Sequence, residues 1–174
     1  GDELLPWTSR AACYCEQGQW AKAADDYART VDLSPDDVVV RHRCASTRLA
    51  AEDFAGYRKA CADLLERFAK TDDPIVANWV AWTAALAPAA VDDYAPCIAL
   101  ATKAVEAKRD DRQFLNTLGA ILYRAGQLQE AVKRLTELDG RLDDSGSGAP
   151  SSPAYTWYVL AMAHHKLGQQ DNAK

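Results

Sequence analysis

Three histidines, five cysteines and a scatter of acids are the side chains with chemistry to offer, and their spacing decides whether they can use it. His164 adjoins His165, and neighbours on a helix diverge by about 100°, so the pair cannot grip one metal ion. His164 reads as a packed or hydrogen-bonded residue. Cys13 and Cys15 are two apart, which on a helix sends their thiols to different sides. With Cys44, Cys61 and Cys97 they form an odd set lacking any C-x-x-C spacing. Zinc needs ligands at recognisable spacings, so no metal site is expected. The cysteines read as compact core residues of a reducing, cytoplasmic compartment. Gly146-Ser147-Gly148 lacks the outer glycines and strand-to-helix setting of a nucleophile elbow, and Asp25-Asp26 reads as a solvated helix face. No nucleophile, base and orienting group assemble, so neither catalysis nor a cofactor is expected.

Charge and hydropathy exclude further classes. The net charge of −5 resides in residues 1–37, which hold eight acids and three bases, while the rest balances. Nucleic acid needs a basic stripe to neutralise phosphates, and the short cluster Arg41, His42, Arg43 and Arg48 is the closest approach to one. Nucleic-acid binding is therefore not expected. No stretch reaches the roughly 18 to 20 apolar residues of a membrane span, and Asp2 and Glu3 oppose a basic leader. Gly1 in place of Met suggests an excised segment.

The elements that must carry these residues repeat. Trp7, Ala11 and Tyr14 recur at spacings of three and four over residues 5–16, the period of a buried helical face. Gly18 breaks that helix. A second, over residues 20–32, points Trp20, Ala23, Tyr27 and Val31 inward, and Pro35 stops it because proline cannot continue a helix. Ala23 is small where two helices must approach. Residues 37–70 repeat the scheme with Ala45 in the small position of the first helix and Phe54 in the turn. There Tyr57 replaces the small residue of the second helix and Cys61 the bulky one, a volume-conserving exchange that predicts a repacked hairpin.

Asp72-Asp73-Pro74 opens a third unit with an acidic cap and a proline at the first helical position. Asn78-Trp79-Val80-Ala81-Trp82 fills its first helix, Ala87-Pro88 ends it, and Asp92 or Asp93 caps a second helix that carries Tyr94, Cys97, Ala101 and Ala104 inward. The turn between them is long, which predicts a splayed hairpin. Leu115, Leu118-Gly119, Gly126, Ala131 and Leu135 restore the pattern in a fourth unit. Small polar residues from Asp143 to Pro153 then predict a flexible loop. A fifth unit begins with Trp157, Leu160-Ala161, His164, Gly168 and Ala173. The units fall at about 4–37, 38–71, 74–108, 112–142 and a truncated 154–174, with 143–153 as the loop and residues 1–174 as one array. A terminal repeat normally needs a capping helix, so the parent protein is expected to continue.

The recurring Trp, Leu-Gly, Tyr, Ala and Pro resemble the tetratricopeptide repeat, whose period is about 34 residues. That resemblance implies an all-α, right-handed superhelical solenoid of antiparallel helix hairpins, about four full repeats and part of a fifth, and a non-catalytic module that binds a protein or peptide. Phrases such as Tyr57-Arg58-Lys59-Ala60-Cys61-Ala62-Asp63-Leu64-Leu65, Ala77-Asn78-Trp79 with Ala85-Leu86-Ala87-Pro88, Phe114-Leu115-Asn116-Thr117-Leu118-Gly119 and Leu160-Ala161-Met162-Ala163-His164-His165 are similar to repeats carried by bacterial eukaryote-like serine/threonine kinases. They imply, as an alternative, a regulatory or self-association segment of a larger kinase or signalling protein. None of a kinase's own motifs is present.

In this family the first helices of successive repeats line a concave groove. Mapped by register, the groove would present Thr8 and Cys15, then His42, Ser46 and Leu49, then Val80 and Ala84. Asn116, Ala120, Tyr123 and Arg124 would follow from unit four, and Tyr158, Met162 and His165 from unit five. The candidate partner-binding set is His42, Ser46, Asn116, Tyr123, Arg124, Tyr158, Met162 and His165: amide, phenol and guanidinium groups to bond an extended peptide, with Tyr and Met for apolar contact. The positions that hold chaperone C-termini in some repeats carry Thr8, Ala12, Arg43, Ala77 and Ala81 here, so no such clamp is expected. Self-association is expected, if anywhere, at the open C-terminal edge.

Overall fold

The computed structural model describes residues 4–139 and 153–169. Among the described residues there are helices and no strands, in the order α1 (Leu4–Glu16), α2 (Trp20–Leu33), α3 (Val38–Ala50), α4 (Phe54–Phe68), α5 (Pro74–Ala85), α6 (Ala95–Ala107), α7 (Arg112–Arg124), α8 (Leu128–Asp139) and α9 (Pro153–Lys166). The predicted loop, save Pro153, and the last residues of the fifth unit lie outside the described residues.

Aspartates start four of these helices. A short carboxylate can accept the backbone N–H groups that a helix leaves unpaired at its start. Asp37 accepts from Val39 and Val40, Asp53 from Gly56, Asp73 from Ile75 and Val76, and Asp111 from Gln113 and Phe114. At α6 the Asp93 carboxylate takes the Ala95 N–H at 2.8 Å from one residue ahead of the N-cap position, Tyr94.

Helix ends follow a second rule. Gly18 and Gly126 adopt φ of +68° and +77°, a left-handed turn that glycine enters without a Cβ penalty. Each closes the paired hydrogen bonds of a Schellman motif, such as Gln19 N–H to Tyr14 O and Gly18 N–H to Cys15 O. After α3 the same bonds form around Glu52, which takes φ of 60° without being glycine.

Each hairpin is closed by small residues at the crossing. Ala11 of α1, which clusters with Tyr27 of α2, and Ala23 are both fully buried. At Gly119 a Cβ would stand 2.4 Å from Leu135 Cγ, so α7 and α8 approach as they do only because that side chain is absent. Trp20 departs from its predicted inward role and is partly exposed. Trp7 instead lies between the Arg10 and Arg29 guanidinium groups, 4.8 and 4.6 Å from its ring. Cys44, Cys61 and Cys97 are buried, whereas Cys13 is exposed and not a core residue.

Asp25-Asp26 is likewise not a solvated pair. Asp25 is exposed, but Asp26 is only 3% exposed and takes both the Nε (2.7 Å) and Nη2 (2.8 Å) of Arg10 from α1. That bidentate hydrogen bond holds its carboxyl below the usual carboxylate range.

Tyr57 does more than fill space. It is almost wholly buried beside Cys61, and its hydroxyl donates to Thr83 O at 2.7 Å while accepting the Ala87 N–H at 3.2 Å. These groups belong to the end of α5 and to the long connection over residues 86–94, where the other hairpins turn in residues 17–19, 51–53 and 125–127. From the other side Arg124 of α7 donates to Ala85 O (2.8 Å) and Leu86 O (3.1 Å). Neighbouring units thus satisfy a helix end that has no glycine turn. Tyr57→Phe leaves the Ala87 N–H unpaired and Thr83 O with the longer bond from the Leu86 N–H, at 3.4 Å, which is expected to cost about 1–3 kcal/mol. Urea unfolding should show a lower midpoint at unchanged slope, and an unshifted midpoint would show that the bridge does not hold the α5 end.

Candidate functional site

The odd-numbered helices α3, α5, α7 and α9 lie in succession, each packed on the next. The small crossing residues Ala45, Ala81 and Gly119 set their common register. Three residues before each stand His42, Asn78 and Asn116, which are also five residues beyond the capping aspartates Asp37, Asp73 and Asp111. This corrects the expected groove positions in unit three. Val80 and Ala84 are buried in the core, and Asn78, Trp79 and Trp82 take the face instead. The predicted register aligned Trp79 with Trp7, but bulk in this unit does not mark the repeat position.

His42 reaches α5. Its Nδ1 lies 2.9 Å from Thr83 Oγ1, and its ring packs against Trp79 with centroids 4.7 Å apart. Thr83 gives its own proton to Trp79 O at 2.7 Å, so it accepts from His42 and the imidazole carries its proton on Nδ1. Burial, with the nearby Arg43 charge, lowers the His42 pKa to about 4. Asn116 reaches α9, its Oδ1 accepting the Thr156 hydroxyl at 2.6 Å, with both residues buried. Asn78 makes no equivalent bond: its Oδ1 is buried with no hydrogen-bond partner among the described residues, a state that costs about 1–3 kcal/mol.

Beside Asn78 is a cavity of about 490 Å³. Its walls include Trp79, Trp82, Phe114 and Tyr155, and Trp82 meets Tyr155 in a tilted contact at 4.8 Å. Lys108, Asp111 and Gln113 supply polar groups at the same site. An aromatic cavity with few polar groups, held on rigid helices, suits a ligand that is largely apolar and partly hydrogen-bonded.

The other candidates are not gathered around it. Arg124 is committed to the α5 carbonyls. Tyr123 is buried, with the Lys166 ammonium 4.5 Å from its ring centroid. Ser46 Oγ donates to Arg43 O at 3.1 Å, and Met162 packs against the core. Tyr158 and His165 are exposed on α9, where His164 Nδ1 lies 2.7 Å from Gln169 Oε1. In the basic cluster, Arg41 donates to Pro35 O and Arg48 pairs with Asp53. Burial pushes the Cys61 and Cys97 thiols up to about 12 and about 11, which keeps both protonated and poor nucleophiles. Asn78, Trp82 and Tyr155 were missed as site residues, although the fixed spacing from the capping aspartates pointed to Asn78.

The sequence matches no protein-family model. No curated protein matches it either. Solved structures do match in shape. A Podosopora anserina putative kinesin light chain with nearly identical TPR-like repeats aligns at TM-score 0.64 and 18% identity, over 98% of this chain and 90% of that one. A thermophilic TPR protein of Thermus thermophilus aligns at 0.62 and 14%, over 98% and 86%. The chain has a TPR-like fold. MamA of MSR-1 aligns with this TPR-like chain at 0.57 and 17%, over 99% and 91%. Among the described residues no helix is long and apolar enough to cross a membrane.

The low pKa of His42 has a consequence for the TPR-like array. A histidine whose folded pKa lies below its unfolded value near 6.5 favours the neutral state. Its contribution is fully present above about pH 6.5 and is lost as pH falls toward about 4. The loss should reach roughly 3 kcal/mol at the acid end. In denaturant unfolding between these pH values, His42→Gln should flatten the stability profile. An unchanged slope would mean that another group dominates.

Proposed function

We propose that this chain is a non-catalytic protein-interaction scaffold that holds an extended segment of a partner along the face of its odd-numbered helices. The observation that carries this reading is the aromatic cavity between α5, α7 and the start of α9. Aromatic anchors in desolvated pockets supply most of the energy at many protein interfaces. Helices that are fixed before binding also reduce the ordering cost. Peptides selected from a random library on the whole chain should lose affinity by at least about tenfold on Trp82→Ala. They should keep it on Lys59→Ala, a change at an exposed i,i+4 ion pair of α4. Selected peptides indifferent to Trp82→Ala would remove the cavity from the binding site.

A second reading, a regulatory or self-association segment of a larger kinase or signalling protein, draws support from α9. Trp157 and Tyr158 are 54% and 66% exposed there. Large aromatic surface of this kind is common at protein interfaces. On this reading, sedimentation at high concentration should show a dimer that Tyr158→Arg dissociates. A monomer throughout would dispose of the self-association version.

A further inference from the structure

One register position carries His42, Asn78 and Asn116, and the outer two each pair with a threonine hydroxyl on the next odd-numbered helix. The middle rung is missing. Thr117 of α7 spends its hydroxyl on Gln113 O, and Ala120 and Ile121 beyond it are apolar. Asn78 Oδ1 is left as a buried acceptor without a donor, in a residue that lines the aromatic cavity.

Building on the scaffold reading above, we infer that this cavity takes an indole side chain presented by an extended protein segment, its ring N–H supplying the missing rung to Asn78. The walls favour a flat ring, because Trp79, Trp82, Phe114 and Tyr155 offer aromatic faces and edges for stacked or edge-on contact. An aliphatic side chain would fill apolar space but leave the acceptor unpaired, which is how a polar site rejects an analogue lacking the donor. The amide turns in a broad two-fold well about its last torsion, so the carbonyl can swing to meet the incoming N–H. Lys108, whose ammonium lies 5.9 Å from the Phe114 ring centroid, and the exposed Gln113 can bond the backbone that carries the ring.

The test is an NMR titration of the whole chain with short capped Gly/Ser peptides bearing one central Trp, 1-methyl-Trp or Leu, and with free indole. The Trp peptide should bind about tenfold or more tightly than the methylated and Leu peptides. On Asn78→Leu the Trp and methyl-Trp peptides should bind alike, while the melting temperature rises by about 2–4 °C because a buried unpaired acceptor has gone. Equal binding of Trp and methyl-Trp peptides to the unaltered chain would overturn the inference, as would no detectable binding of the Trp peptide. Free indole binding as tightly as the Trp peptide would overturn the protein-segment source. Library-selected peptides that lose affinity on Trp82→Ala but keep it on Asn78→Leu would leave the scaffold reading standing and remove the indole.

Discussion

The last carbonyls of helix α5 point into protein with no glycine turn to satisfy them, and the middle of the array is organised around that constraint. A buried carbonyl without a donor costs more than a typical hydrogen bond contributes. After α1, α7 and α9 the chain solves the problem locally, with a glycine in the left-handed region closing the helix onto itself, and after α3 Glu52 takes the same role. After α5 it solves it from outside: Tyr57 comes from α4 and Arg124 from α7, and together they bond Thr83, Ala85 and Leu86. Repeat arrays ordinarily gain stability from contacts between adjacent units that are mostly apolar. Here the contacts to the third unit are also directional, so the positions of α4, α5 and α7 are tied to one another by hydrogen-bond geometry.

That tie bears on the site. Trp79 and Trp82 stand on α5, Phe114 on α7, and Tyr155 on α9, whose Thr156 is bonded to Asn116 of α7. The helices carrying its walls are each bonded to a neighbour, α5 to α3 through His42 and Thr83, and α7 to α9 through Asn116 and Thr156. Packed interiors collapse onto small voids when they can. This one lies at the surface, between the two polar rungs.

Much of the fold was legible because its signals are local. Capping aspartates, turn glycines and small crossing residues act within one hairpin, so reading along the chain finds them. The exchange of Tyr57 with Cys61 was visible as a question of volume. Its purpose was not, because the partner carbonyl of Thr83 lies in the next unit. Arg124 looked like a groove ligand for the same reason, its acceptors being far away in sequence. Asp26 was missed because a solvated face and a bidentate ion pair between helices have the same local spelling. In unit three the error came from trusting Trp79 as a marker. A large side chain tolerates several positions on a helix, whereas the crossing point tolerates only a small one, so Ala81 was the better guide.

The one unsatisfied rung falls where the facing helix supplies core packing. His42 and Asn116 meet threonines whose hydroxyls lie on the facing helix, and each pair spends polar groups to fix the spacing of adjacent units. At Asn78 the facing helix is α7, where Phe114, Leu118, Ile121 and Leu122 build the core shared with its neighbours. A hydroxyl placed there to complete the ladder would come at the expense of that packing. An apolar residue at position 78 would remove the unpaired acceptor and stabilise the isolated chain. The asparagine is therefore best understood as a group whose partner arrives from outside, at a stability cost the rest of the array can absorb.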